Sequence, residues 1–234
     1  MEEWTGPKWW LLFSSLTVFG YGCACLVLSL ATLFRAYPSA EIPATLDPAL
    51  LVLSTLLSSL LLLSSICGLT GTLLSSRFTL SIYTILLFPS FFSLLAVGYT
   101  AYKRHTFALP SKLDHAWSAY LTPYGRLLIQ SSLKCCGWFS PSHEATLSSR
   151  CYPRIALPGC KARLIRYERA TLKWVYTTAF SLAPLHMVNM VIALLCSNHV
   201  NRVWGMRVPP RKYWLSGEDV REAASRGELV GGGV

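Results

Sequence analysis

The residues of this chain best suited to chemistry are four cysteines in one short stretch: Cys135, Cys136, Cys151 and Cys160. Cys135 and Cys136 are adjacent, within SSLKCCGWFS. They make a poor pair with each other, because a disulfide wants its Cα atoms more than about 4.4 Å apart. A zinc site would favour spaced pairs such as CxxC, and a redox pair needs two intervening residues; the stretch has neither pattern. In an oxidising compartment such an even set reads as a disulfide framework, with Cys135 and Cys136 each reaching separately to Cys151 and Cys160. Other candidate chemistry is sparse. His143–Glu144 does not extend to HExxH, His105 and His115 lack companion ligands, and there is no GxSxG or phosphate loop. Neither a metal site nor an enzyme is expected. The framework therefore depends on which elements hold the stretch and on which side of a membrane.

The chain has 234 residues, 53% apolar and only 14% charged, with a net charge of +10. A soluble domain carries about a quarter charged residues, so the deficit points to lipid. Four long stretches lack any charge: residues 9–34, 48–76, 78–102 and 174–201. A helix needs about 20 residues to cross the hydrocarbon, so each is expected to span. The first is too long for the apolar core of a cleaved signal peptide. Counting basic residues in short loops and tails puts both ends in the cytoplasm. Lys8, Arg77, Arg202, Arg207, Arg211, Lys212, Arg221 and Arg226 fall inside, whereas the first outer loop holds one base against two acids. The long loop carries twelve basic and three acidic residues, but loops beyond about 60 residues translocate regardless of charge. The basic excess is then extracellular, which argues against nucleic acid.

The expected order is a cytoplasmic tail 1–8, span 9–34, small outer loop 35–48, span 49–74, cytoplasmic turn 75–77, span 78–102, large outer loop 103–173, span 174–198 and cytoplasmic tail 199–234. The fold class is all-α membrane protein, with a small disulfide-bonded helical extracellular domain between spans three and four.

Four spans, a small first and a large second outer loop, and CCG (Cys135, Cys136, Gly137) within that loop resemble the tetraspanin family over residues of about 8–205. The short segment from Gly137 to Cys151 makes it a compact member, and the tail CSNHVNRVWGMRVPPRKYWL is similar to those of fungal members. The resemblance implies the pairing Cys135–Cys160 and Cys136–Cys151. It implies a scaffold without catalysis that binds partner membrane proteins laterally, through the large loop and the spans, and gathers them into membrane domains. It also implies palmitoylation near the inner face, residence in the plasma membrane or endosomes, and room for self-association and for a bound lipid or sterol; no other cofactor is expected. Two departures stand out. The family's Asn in the first span and Glu or Gln in the third and fourth are missing, leaving His186 and Asn189 as the strongly polar residues deep in the fourth. The intermediate cysteine reads SSRCYP, with its proline after it rather than before.

Locally, KRHTFALPSKLDHAWSAYL should continue the third span as a helix interrupted near Pro110. TPYGRLLIQSSLK reads as a short helix delivering Cys135, and Leu164, Tyr167 and Thr171 have the spacing of a helix running into the fourth span. Trp138 and Phe139, with the basic face Lys161, Arg163, Arg166 and Arg169, form either a partner surface or, respectively, core under the bridges and a solvated face. The loop has no Asn, which excludes N-glycosylation there. Small residues let membrane helices approach. Thr17, Gly20, Ala24 and Ala31 line one stripe, and Ser54, Ser58, Ser65, Gly68, Thr72 and Ser75 another, so spans one and two are expected to pack through them. Pro89 and Pro184 should kink spans three and four.

By depth along a helix, Cys196 and then Cys67 are the candidates for acylation, whereas Cys23 and Cys25 fall in the outer half. Ser216 and Asp219 resemble a capping box opening a short tail helix. Two other readings use the same residues: a four-span transporter or channel with a His186–Asn189 proton relay, or a claudin-like adhesion or barrier protein.

Overall fold

The computed structural model of the chain describes residues 6–74, 76–107 and 109–200; the tail helix expected after Ser216 lies outside them. The elements are α1 (Gly6–Leu33), α2 (Glu41–Leu46), α3 (Pro48–Leu73), α4 (Arg77–Thr106), α5 (Leu109–His115), a π-helical turn (Ala116–Tyr120), α6 (Pro123–Leu133) and α7 (Cys160–Val200). Four of these, α1, α3, α4 and α7, are long and apolar enough to cross a membrane. Each uncharged stretch becomes one helix because a bilayer leaves the backbone no other partner for its polar groups.

The four spans form a ring in which α1 packs on α3, α3 on α4, and α4 on α7, with a lighter α1–α7 closure. Their shared core holds Val18, Leu57, Leu61, Tyr83, Leu87, Leu94, Val97 and Ala179. Phe13, Val27, Leu56, Phe92 and Leu195 point outward, as lipid-facing positions should. Both α4 and α7 stay helical through Pro89 and Pro184; among packed membrane helices the freed carbonyl finds other partners.

The small-residue stripe expected on the first span is not its packing face. Gly20 and Ala24 are exposed, and nothing lies within 4 Å of where a Gly20 side chain would start. Thr17 is also exposed, although its hydroxyl lies 3.4 Å from Asn189 Oδ1 on α7, and Ala31 is half-buried. The buried line of α1 is instead Leu11, Ser14, Ser15, Val18, Gly22 and Ser29. A Cβ on Gly22 would lie 3.2 Å from the Leu61 side chain, so this glycine marks a close approach to α3. On α3, Ser58, Ser65, Gly68 and Thr72 are buried and Ser54 is half-buried. Ser29 donates to Ser54 across the α1–α3 seam at 3.2 Å. A Cβ on Gly68 would stand 3.0 Å from both Ser15 and the Tyr83 ring. Most of the hydroxyls donate to their own helix three or four residues back, as Ser58 does to Thr55 and Ser65 to Leu62. Their value at the seam is small size rather than interhelical bonding.

Outside the bundle, α4 runs to Thr106 and the chain turns extended at Phe107 (φ −102°, ψ 112°). Pro110 then sits in the first turn of α5, where its missing N–H costs nothing. Thr122 caps α6 by accepting from Gly125 N, with Pro123 at the first helical position. The helix ends at Lys134 in the left-handed conformation, which turns the chain into Cys135. α7 rises as one 41-residue helix from Cys160. Its first fourteen residues stand in the bridged domain, and its uncharged stretch begins at Trp174.

Candidate functional site

The two bridges are Cys135–Cys160 and Cys136–Cys151, with Cα separations of 5.0 and 5.2 Å and sequence separations of 25 and 15. Both separations suit unstrained disulfides. The adjacent cysteines are one anchor at the end of α6 from which two covalent links diverge, one to the start of α7 and one into the intervening segment. Gly137 follows them at φ +69°, and a Cβ there would collide with Ser140 O at 2.0 Å. Only glycine fits that combination of left-handed backbone and contact. The turn is then fixed by backbone bonds: Trp138 N to His143 O at 2.9 Å, Cys160 N to Gly137 O at 2.9 Å and Lys161 N to Trp138 O at 3.1 Å. Buried Gln130 reaches it from α6, its amide oxygen accepting from Gly137 N at 2.9 Å and its nitrogen donating to Thr146 O at 3.0 Å.

Trp138 is 2% exposed and stacks on Trp117 at 5.0 Å, whereas its neighbour Phe139 is 59% exposed. Trp138 therefore belongs to the core with Leu113, Trp117, Ile129, Cys135, Cys160 and Leu164; it is not part of a partner surface. Its indole Nε1 donates to Asp114 Oδ1 at 2.6 Å, and Lys161 Nζ pairs with the same carboxylate at 3.0 Å. A buried indole needs such an acceptor, and Asp114 supplies it from α5. Arg163, although exposed, is engaged within the domain. It donates to Leu133 O at 2.7 Å and Lys134 O at 2.9 Å, closing the last carbonyls of α6. Arg166 remains exposed. The outward apolar residues of the bridged segment are Phe139, Leu147 and Tyr152.

The sequence reading missed Asp114, Gln130 and a charged cluster beneath the domain. Asp47, at the end of the small loop, pairs with Arg104 on α4. Glu168 of α7 is 2% exposed, and its Oε1 has no hydrogen-bond partner. Burial, then the neighbouring Asp47 charge, push the Glu168 carboxyl up to about 8, against the pull of Arg104. Burial likewise raises Asp47, with Arg104 opposing. With Tyr167 OH donating to Ser39 O at 3.1 Å, these groups tie the small loop to the large one. The signal available was thin: Asp114 and Glu168 are two of only three acids in a loop of twelve bases.

In the membrane, His186 is fully buried between Tyr21 OH at Nδ1 and Leu87 O at Nε2. The carbonyl can only accept, so Nε2 carries the proton and Nδ1 accepts from the tyrosine. Asn189 Oδ1 accepts from Ser14 at 3.1 Å. The pair links α7 to α1 and α4; polar groups used this way join membrane helices. Of the cysteines proposed for acylation, Cys67 is half-buried, but Cys196 is 8% exposed and clusters with Leu11 and Leu80. Cys23 and Cys25 are half-buried in the first span.

No curated protein matches the chain. A family model described as the tetraspanin family matches residues 8–199, the stretch that holds all four spans and both bridges. The chain belongs to the tetraspanin family.

Proposed function

We propose that this tetraspanin gathers partner membrane proteins laterally, with the bridged extracellular domain as its recognition surface and the spans as a second contact. The carrying observation is the inversion at residues 138 and 139. Trp138 is locked into the core by Asp114 and Trp117, which leaves Phe139 outward on a covalently held turn, in a bridged segment that also exposes Leu147 and Tyr152. Exposed aromatic and aliphatic side chains on a rigid frame lose little entropy on binding, which suits them as anchors. The long α7 continues from this domain into the bilayer, so a partner held outside is also held beside the helices. In this reading both termini are cytoplasmic, the protein resides in the plasma membrane or endosomes, and lipid, sterol and a second copy are further candidate occupants of the bundle surface.

The use of both His186 ring nitrogens as ties favours this reading over a proton pathway. Co-isolation from native membranes in mild detergent, quantified by mass spectrometry, tests it. The parent should retain a set of membrane proteins that Phe139→Ser with Leu147→Ser loses. An unchanged set would move recognition away from this face.

A further inference from the structure

At the outer end of α7, residues 162, 165, 166, 169, 170, 173 and 176 share one helix face, at intervals of three and four. Opposite them stands His105 of α4, and the two helices enclose a groove of about 650 Å³. Its charged lining is of one sign: Arg166, Arg169 and Lys173, with no acidic residue among the lining side chains. Four other bases of the domain are engaged. Arg104 holds Asp47, Lys161 holds Asp114, Arg163 caps α6 and Arg126 donates to Ser118 O. The groove cations are all exposed, and none makes an ion pair among the described residues. Three like charges crowded along two helical turns repel one another, which an anion between them would relieve.

Their height identifies the anion's source. Lys173 immediately precedes Trp174, the first residue of the uncharged stretch. Arg169 stands about 6 Å above Lys173 and Arg166 about 10 Å above it, at 1.5 Å per residue. The polar headgroup layer on each side of a bilayer is about 5–7 Å deep. Lys173 and Arg169 therefore lie at headgroup height, and Arg166 about 3 Å beyond the layer. Below the charges the same face becomes aromatic. Tyr176 packs edge-on against His105 and Tyr102, and Phe180 lies next along at 6.5 Å.

We propose that this groove binds the phosphate of an anionic lipid on the membrane face that carries the bridged domain. The Arg169 fork would take two phosphate oxygens and Lys173 would act as a point charge, with an acyl chain descending along Tyr176 and Phe180. The site is separate from the partner surface at Phe139 and stands or falls without it.

The test reconstitutes the full chain in nanodiscs of phosphatidylcholine with a minor fraction of phosphatidylglycerol. Lipids retained on release into mild detergent are then counted by native mass spectrometry. The parent should retain phosphatidylglycerol in preference to phosphatidylcholine, and less of it as salt rises. Arg169→Gln and Lys173→Gln should each lower retention about five-fold and together abolish the preference. The charge-preserving pair Arg169→Lys with Lys173→Arg should keep most of it, and Arg154→Gln, which removes an exposed charge elsewhere, should change nothing. Equal retention of the two lipids by the parent would overturn the proposal even if a variant failed to fold. So would full retention by the double variant, or a loss as large with Arg154→Gln. Displacement of the lipid by inorganic phosphate alone would assign the groove to a soluble anion and overturn the lipid claim.

Discussion

The bridged domain and the membrane bundle reach stability by opposite means. The domain is built from few, large, specific contacts: two disulfides, the Trp117–Trp138 stack, and polar side chains paired across elements, such as Asp114 with Trp138 and Lys161. The bundle is built from many small ones, with glycine and serine faces meeting at van der Waals distance and hydroxyls satisfied by their own helix. The difference follows from solvent. In water about 70 residues bury too little to fold on core alone, so covalent closure supplements it. In lipid the apolar side chains are already content, and only close packing distinguishes one helix face from another. The domain should therefore fail at single residues, whereas the bundle should tolerate change except at its few points of closest approach.

The largest effect should come from the bridges. Each closure is worth about 3–3.5 kcal/mol in the chain-entropy model at these separations. Replacing all four cysteines by serine should unfold the outer domain while the four spans persist, seen as protease cleavage confined to the loop. Resistance of that loop without its bridges would erase the contrast.

Next is pH. The Glu168 carboxyl is raised from 4.5 to about 8 in the folded chain, so the native state holds a proton that the unfolded chain has released between those values. The stability this group contributes should be full below about pH 4.5, decline toward pH 8, and be lost above it. Burial raises the carboxyl most, the Asp47 charge adds to that, and Arg104 opposes both. Glu168→Gln should flatten that part of the profile of thermal unfolding in detergent. A variant whose midpoint tracks the parent at every pH would show that this carboxyl is not held neutral.

Within the bundle, Gly68→Val should cost about 1–3 kcal/mol by overpacking against Ser15 and Tyr83. Gly20→Val, facing outward, should stay within about 0.5 kcal/mol. Equal losses would return Gly20 to the packing face.

This pair also shows what was legible. The spans could be read because missing charge over 25 or more residues has one physical explanation. The disulfide framework followed from the four clustered cysteines, and its pairing from the family resemblance. Which side of α1 packs could not be read: small residues occur on both its faces, and lipid puts no polar mark on the outward one. Whether Trp138 was core or surface, and what Arg163 held, could not be read for another reason. Their partners, Asp114 and the carbonyls of Leu133 and Lys134, lie 24 to 30 residues away in sequence, beyond any local pattern.

Depth is one guide to acylation and burial is another. Depth favours Cys196 over Cys67, but an acyl chain on Cys196 requires the cluster with Leu11 and Leu80 to open. Acyl-exchange labelling should therefore lose more signal with Cys67→Ser than with Cys196→Ser, with little change for Cys23→Ser. The reverse order would mean that the inner end of the bundle opens readily.

The claim that the bridged turn presents a partner surface is tested most directly by photo-crosslinking in native membranes. A photoreactive residue is placed in turn at Leu147, at Phe139 and at lipid-facing Val27, with and without Cys136→Ser plus Cys151→Ser. The account predicts that Leu147 and Phe139 capture the same membrane proteins, that Val27 does not, and that removing the Cys136–Cys151 bridge abolishes the capture. Identical captures from all three positions, or captures indifferent to the bridge, would contradict it.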